Sequence, residues 1–241
     1  LEEVIVTATL RPAVSLEVPA SVTVLDRATL KEAGLQHLQD VLPLVPNLNW
    51  ASGSSRPRYF QLRGIGETDQ WQGAPNPSVG FLIDGMDFSG IGMPATLLDL
   101  EQIEVLRGPQ GTTFGANALA GLLHVRSQKP TDEPQQRWEA SWGEAGVGSL
   151  GLVAGGALGE ESAWRIAAQR YRADGSRDNE FLGRDDTNGL SEDTFRWRST
   201  HRITPQWQAD WSVLAVDQDN GFDAFSIDNS RRTRSDDPGR D

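Results

Sequence analysis

The stretch that most limits how this chain can fold runs from Gln102 to Pro130, QIEVLRGPQGTTFGANALAGLLHVRSQKP, where two short apolar runs flank a loop carrying Gly108, Gly111, Gly115 and Gly121. Ile103 to Leu106 and Leu122 to Arg126 are bounded by glycine and proline and rich in β-formers, so they read as strands. A glycine-rich loop after a strand is also the form of a phosphate cradle, but the residues here exclude that use. A P-loop needs Lys and then Ser or Thr directly after its last glycine, whereas Gly115 is followed by Ala116 and Asn117. The pair Gly64-Ile65-Gly66 lacks the third glycine of a dinucleotide fingerprint, because Asp69 stands in its place.

Composition removes other classes. The chain has 241 residues with 22 Lys plus Arg against 34 Asp plus Glu, so a nucleic-acid backbone would be repelled. It has no cysteine, which eliminates disulfides, thiolate metal sites and cysteine nucleophiles together. His37, His124 and His201 stand apart from other ligand-type residues, and no G-x-S-x-G elbow or H-E-x-x-H pair occurs. Asp84 and Asp87 lack a further ligand set, and Asp84-Gly85 reads as a tight turn in which glycine supplies positive φ. No metal, cofactor or enzymatic chemistry is expected. No run of 18 apolar residues exists, so a membrane helix is ruled out, whereas membrane strands alternate and escape such averages. The chain opens at Leu1 without a basic, apolar export signal, as a mature or trimmed sequence would.

Leu106-Arg107-Gly108-Pro109, Phe114-Gly115, Asn117-Ala118, Gly121 and the closing Lys129-Pro130 fill, in order, the places of the plug-domain signature of TonB-dependent outer-membrane receptors. Three other segments match the same family in family order. Glu2 to Ala8 (EEVIVTA) resembles a TonB box, Phe60 to Gly64 (FQLRG) the plug's first Arg-Gly strand, and Ser78 to Gly85 (SVGFLIDG) its Asp-Gly turn. The resemblance implies an α+β plug domain followed by antiparallel transmembrane β-barrel strands, the full family barrel having 22. It divides the chain into a TonB box and linker (1–12), a plug (13–130) and the N-terminal part of a barrel (131–241).

The local patterns agree with that division. Val22 to Leu25 is a strand, Asp26 caps a helix over Arg27 to Ala33 that Gly34 ends, and a second short helix, Leu38 to Leu42, stops near Pro43. Tyr59 to Arg63 and Val79 to Asp84 are further strands among loops rich in Gly, Pro, Ser and Asn. Beyond Pro130, Trp138, Ala140 and Trp142 share one face, as do Leu150, Leu152, Ala154 and Leu158. Phe195 and Trp197 alternate with Arg196 and Arg198, and Trp207 to Ala215 alternates in the same way, while Ala163 to Tyr171 reads less cleanly. These patterns give about five strands, fewer than the eight of the smallest single-chain bacterial barrels, so the barrel is expected to be incomplete. Alternation alone is shared with a soluble β-sandwich. The connections favour the barrel: Gly159 to Ser162 and Thr204 to Gln206 are short, Arg172 to Asp193 is long and charged, and barrels put short turns in the periplasm.

The resemblance also assigns roles. Glu3, Val4, Ile5, Val6, Thr7 and Ala8 form an extended, β-branched segment that could add as a strand to the periplasmic partner TonB, or serve as an ordinary edge strand. Arg63 and Arg107 match arginines that pair with glutamates of the barrel wall, the alternative being exposed turn residues. Trp71, Gln72, Phe88, Ser89 and Met93 lie on loops that meet the ligand, where aromatics grip a bulky chelate or else pack on the wall. The expected function is energised uptake of a scarce nutrient across the outer membrane of a Gram-negative bacterium, foremost a ferric siderophore, with cobalamin, haem or a glycan as alternatives. Its partners would be TonB with its inner-membrane energising complex, a metal chelate or similar ligand, and outer-membrane lipid. A truncated plug that binds ligand or TonB without transport is the other reading.

Overall fold

The computed structural model describes residues 5–6, 13–14, 21–52, 55–68, 76–91, 96–144, 146–223 and 234–235. The chain divides into two compact units, Leu1–Gln128 and Lys129–Asp241.

The first unit is built on a five-stranded sheet. Its strands are β3 (Ser21–Asp26), β6 (Val79–Ile83), β7 (Met86–Asp87), β8 (Leu100–Arg107) and β9 (Gly121–Ser127), in the order β3-β8-β9-β6-β7. β6 runs parallel to β9 and the other pairs are antiparallel. All five residues of β6 are buried, which is why it reads as a continuous apolar run without alternation. Separate pairs, β1 (Ile5–Val6) with β2 (Ala13–Val14) and β4 (Leu48–Ala51) with β5 (Tyr59–Leu62), complete the strands of this unit. Phe60 of β5 packs on Phe81 of β6 with ring centroids 5.4 Å apart and the planes tilted by 49°, joining the β4–β5 hairpin to the sheet.

Local signals place the helices. Asp26 caps α1 (Arg27–Glu32) by accepting from Thr29 N at 2.8 Å, and Gly34 follows at φ 66°. His37 caps α2 (Leu38–Val41) through its ring, which accepts from Gln39 N, while Asp40 accepts from His37 N. Pro43 ends α2 by turning the chain into a 3-10 turn, Leu42–Leu44. Between β8 and β9 the glycine loop folds a single helical turn, α3 (Gly111–Phe114), absent from the sequence expectation because one turn leaves no periodicity. Gly121 is needed for close packing: a Cβ there would lie 2.4 Å from both Leu106 O and Leu62 Cδ1.

The second unit is an up-and-down antiparallel sheet of β10 (Gln135–Trp142), β11 (Gly148–Gly159), β12 (Ser162–Ala173), β15 (Leu190–Thr204) and β16 (Trp207–Gln218), with open edges at β10 and β16 among the described residues. Cross-strand rows run straight through it: Trp138, Leu152, Ala168, Phe195 and Ala215 form one, and Ala140, Leu150, Arg170, Asp193 and Asp217 the next. One face is covered, burying Val153, Ala163, Ala167, Arg165, Gln169 and Arg196. The other presents Trp138, Leu150, Phe195, Trp211 and Val213 to the surroundings. β12 read poorly in sequence because the alternation is blurred on both faces, Ala163 and Ala167 standing on the covered one and Arg170 on the other. On the apolar face His201 is satisfied by Ser199 Oγ at Nε2 and Ser162 Oγ at Nδ1, each at 2.9 Å.

The long connection after β12 is folded too. It holds the hairpin β13 (Arg177–Asn179) and β14 (Arg184–Thr187), and β17 (Arg234–Ser235) adds parallel to β13. Asp223 lies buried at its centre, where Oδ2 accepts from Asn179 Nδ2 at 3.0 Å, Thr187 Oγ1 at 2.7 Å and Ser235 Oγ.

Candidate functional site

The N-terminal pair β1–β2 does not stand free. Val6 is fully buried against Leu82, Leu106 and Leu122, with Val22, Val24 and Phe114 packed around them. Ile5 and Val6 pair with Val14 and Ala13, so one backbone edge of the segment is already occupied. Glu3, Val4, Thr7 and Ala8 lie outside the described residues.

Beside that apolar socket the same sheet face turns polar. Glu104 has no exposed surface and accepts from Gln102 Nε2 at 2.7 Å and Arg126 Nη1 at 3.1 Å, and Arg126 Nη2 reaches Glu101 at 3.0 Å. His124 stands opposite Glu104 across the β8–β9 ladder and against the Phe114 ring. Burial pushes the His124 imidazole below its usual value and Arg126 adds to this, while Glu104 and Asp84 pull the other way. Asp84, in a turn with Gly85 at positive φ, accepts from Ser127 N at 2.8 Å and Ser127 Oγ at 2.6 Å. Asp84 therefore ties its turn to the end of β9. Among the described residues no group of three or more metal-ligating side chains forms.

Arg63 and Arg107 come together at the Gly121 end of the sheet. Arg63 is exposed, sits at φ 54° in the turn after β5, and its N–H donates to Asn47 O at 3.0 Å. Arg107 is half-buried and donates through Nη1 to Thr23 Oγ1 at 2.6 Å and through Nη2 to Pro46 O at 3.1 Å. Burial, and then the charge of Arg63, push the Arg107 guanidinium below its ordinary value. Among the described residues no carboxylate forms an ion pair with either arginine.

At the same end, Ser89 Oγ accepts from Phe81 N at 2.9 Å, and Phe88 N donates to Phe81 O at 2.9 Å, so both predicted residues belong to a structured loop. Asp87 accepts from Ser89 N and from Asn117 Nδ2, linking this loop to the glycine loop. Burial raises the Asp87 carboxyl, but these bonds outweigh it and hold it below the usual carboxylate value. Trp71, Gln72 and Met93 lie outside the described residues. Two residues missed in sequence stand at the loop tips: Ile65 is 56% and Ile91 69% exposed. Each is the centre of a Gly-Ile-Gly tripeptide, a signal readable in the sequence as an apolar residue in a turn that cannot bury it. Glu67 ties the Ile65 loop to the start of β6 by accepting from Ser78 N and Oγ, and Gly90 packs near Pro77 and Tyr59.

The TonB-dependent Receptor Plug Domain family matches residues 15–122, which include β3, β6, β7 and β8 of the main sheet and the start of β9. Residues 15–122 form a TonB-dependent receptor plug domain. Among curated relatives, a vitamin B12 transporter of Vibrio vulnificus is 23% identical over 226 residues, covering 90% of this chain and 35% of the relative. A pesticin receptor of Yersinia enterocolitica is 30% identical over 116 residues, covering 48% of this chain and 17% of the relative. The chain thus spans about a third or less of the length of these relatives. Among solved structures, the ferric yersiniabactin uptake receptor of Yersinia pestis superposes with a TM-score of 0.69 at 22% identity, over 82% of this chain and 31% of that one. The siderophore receptor of Acinetobacter baumannii gives 0.73 at 17% identity, over 92% and 30%. These neighbours carry the fold through the strands after the plug, so the second unit has the fold of an open, unclosed stretch of β-barrel. The chain belongs to the outer membrane of a Gram-negative bacterium.

Proposed function

We propose that this chain forms the plug and first wall strands of a receptor that takes up a scarce nutrient through the outer membrane, driven by TonB, and that the nutrient is a ferric siderophore. The observation that carries this reading is the continuity of a plug-family domain with alternating strands whose free face is apolar and rich in tryptophan. Residues Glu3 to Ala8 are the TonB-binding segment, with β1 as the strand that TonB extends. Arg63 and Arg107 anchor the plug to wall carboxylates. Two guanidiniums this close without an acid in the described residues support that role, because a counter-charge is favourable there. Ligand contact falls to Trp71, Gln72, Phe88, Ser89 and Met93, joined by Ile65 and Ile91 at the exposed tips.

Iron-limited growth on a panel of siderophores, with the intact gene and its deletion, tests the reading. Loss of growth on one siderophore, restored by the gene, is the expected result. Unchanged growth on every siderophore together with loss of vitamin B12 uptake would assign the receptor to cobalamin instead.

A further inference from the structure

The face of the plug sheet that receives Val6 is striped. One cross-strand row is apolar, Val22, Leu106, Leu122 and Gly80, and the next runs Val24, Glu104, His124, Leu82 and Asp87. Val6 packs on both, meeting Leu106 and Leu122 in the first and Leu82 in the second. Leu82 is the neighbour of His124 in the ladder. Phe114 packs against the Val6 cluster and also against the His124 ring, with centroids 6.3 Å apart. The N-terminal segment and the imidazole therefore share two neighbours, and lifting Val6 uncovers the flank of His124.

The charges around the ring come from the sheet itself. Glu104 stands opposite His124, Arg126 lies two residues along β9, and Asp84 is in the turn after β6. Glu104 is engaged by Arg126 and Gln102, and Asp84 by Ser127. Asp87 closes the row beyond Leu82, bonded to Ser89 and Asn117. The described residues of β1, β2 and α3, which pack on this face, bring no charge. His124 is only 9% exposed, so its charged form has almost no water. A proton there gains from Glu104 and Asp84, but burial and Arg126 outweigh them, and the seated segment holds the ring neutral.

Once Val6 leaves its socket, water reaches the ring and its value returns toward the ordinary 6.5. The lifted state then binds the proton more tightly than the seated one. By linkage, the seated state is favoured above about pH 6.5 and loses ground as pH falls.

We propose that the N-terminal segment is a proton-sensitive latch, in which protonation of His124 releases Val6 from its socket and makes β1 more available to TonB. The latch needs only the seat of Val6, whereas its consequence for TonB rests on the reading of Glu3 to Ala8 as the TonB-binding segment. One proton gained on lifting moves the lifted-to-seated ratio by up to about tenfold between about pH 7.5 and 5.5.

A single thiol makes the latch visible. The 241-residue chain has no cysteine, so Ile5→Cys gives one position for a nitroxide label whose line shape separates seated from lifted segments in detergent. The ratio of mobile to immobile label should rise by up to about tenfold on acidification over that range. In His124→Gln the rise should vanish, with the segment seated throughout. Val6→Ala weakens the socket and leaves His124 in place, so it should raise the mobile component at both ends of the range and keep the rise. That variant decides the question if His124→Gln does not fold. A line shape that ignores pH in the parent chain or in Val6→Ala, or a rise that persists in a folded His124→Gln, overturns the latch. Capture of the periplasmic domain of TonB on the same samples separates the two readings. An acid-driven rise without capture supports the latch and removes TonB as its partner, whereas capture by a chain whose label ignores pH sinks the latch alone.

Discussion

Val6 and Glu104 show how much rests on single side chains beside one another on a sheet face. Val6 closes an apolar socket formed by Leu82, Leu106 and Leu122, so Val6→Ala should loosen the N-terminal segment by roughly 2 kcal/mol, read as faster hydrogen exchange at residues 5–6. Ile5→Pro acts differently. It removes a backbone donor from the strand that TonB would extend, so energised uptake should be abolished while ligand binding persists. Normal uptake by that variant would exclude this segment as the TonB-binding strand. Glu104→Ala leaves Arg126 without its buried partner and should destabilise the plug by about 3 kcal/mol in denaturant titration. His124 sets a pH dependence. Its folded value lies below its unfolded value, so the unfolded chain takes up the proton first, and the stability it contributes is present above about pH 6.5 and lost as pH falls toward the folded value. His124→Gln should flatten plug stability across that window. Neither buried polar residue was foreseeable as such, because burial of Glu104 and His124 depends on what covers the sheet and not on their spacing.

At the scale of elements, legibility followed the strength of local signals. Asp26 and Gly34 marked both ends of α1 because capping chemistry involves a few neighbouring residues. The strands at Val79 and Ile103 were visible as apolar runs, yet β8 extends outward to Leu100 and Arg107 because pairing with β3 and β9 continues past the apolar residues. β4 and the β13–β14 hairpin escaped notice, since Leu48–Ala51 is half exposed and Arg177 to Thr187 is almost wholly polar. That polar hairpin is held by Asp223 rather than by an apolar core. Burial raises the Asp223 carboxyl, but the bonds from Ser235, Thr187 and Asn179, with the charge of Arg177, outweigh it and hold it below the usual carboxylate value. Its contribution is therefore present above the unfolded carboxylate value and lost as pH falls through the lowered one. Asp223→Ala should free three buried donors at once and raise protease cleavage between residues 174 and 189, with the β10–β16 sheet unchanged.

At the scale of the whole molecule, the two units should differ in how they meet water. The plug sheet buries apolar side chains on β6, β8 and β9, and the carboxylates of Glu104 and Asp84 are bonded internally. Residues 1–130 expressed alone should accordingly be water-soluble and monomeric. The wall sheet has open backbone edges at β10 and β16 and an outward face carrying Trp138, Trp142, Leu150, Phe195 and Trp211, from 42% to 85% exposed. Unpaired edges template association, and an apolar face of that extent is stable only against hydrocarbon or another apolar surface. The 241-residue chain should therefore require detergent or aggregate, which sedimentation of the two forms side by side would measure. A monomeric full chain in plain buffer would mean that the free face is covered from within the protein. The alternating strands would then form a sandwich and not a membrane wall, while the plug assignment stood.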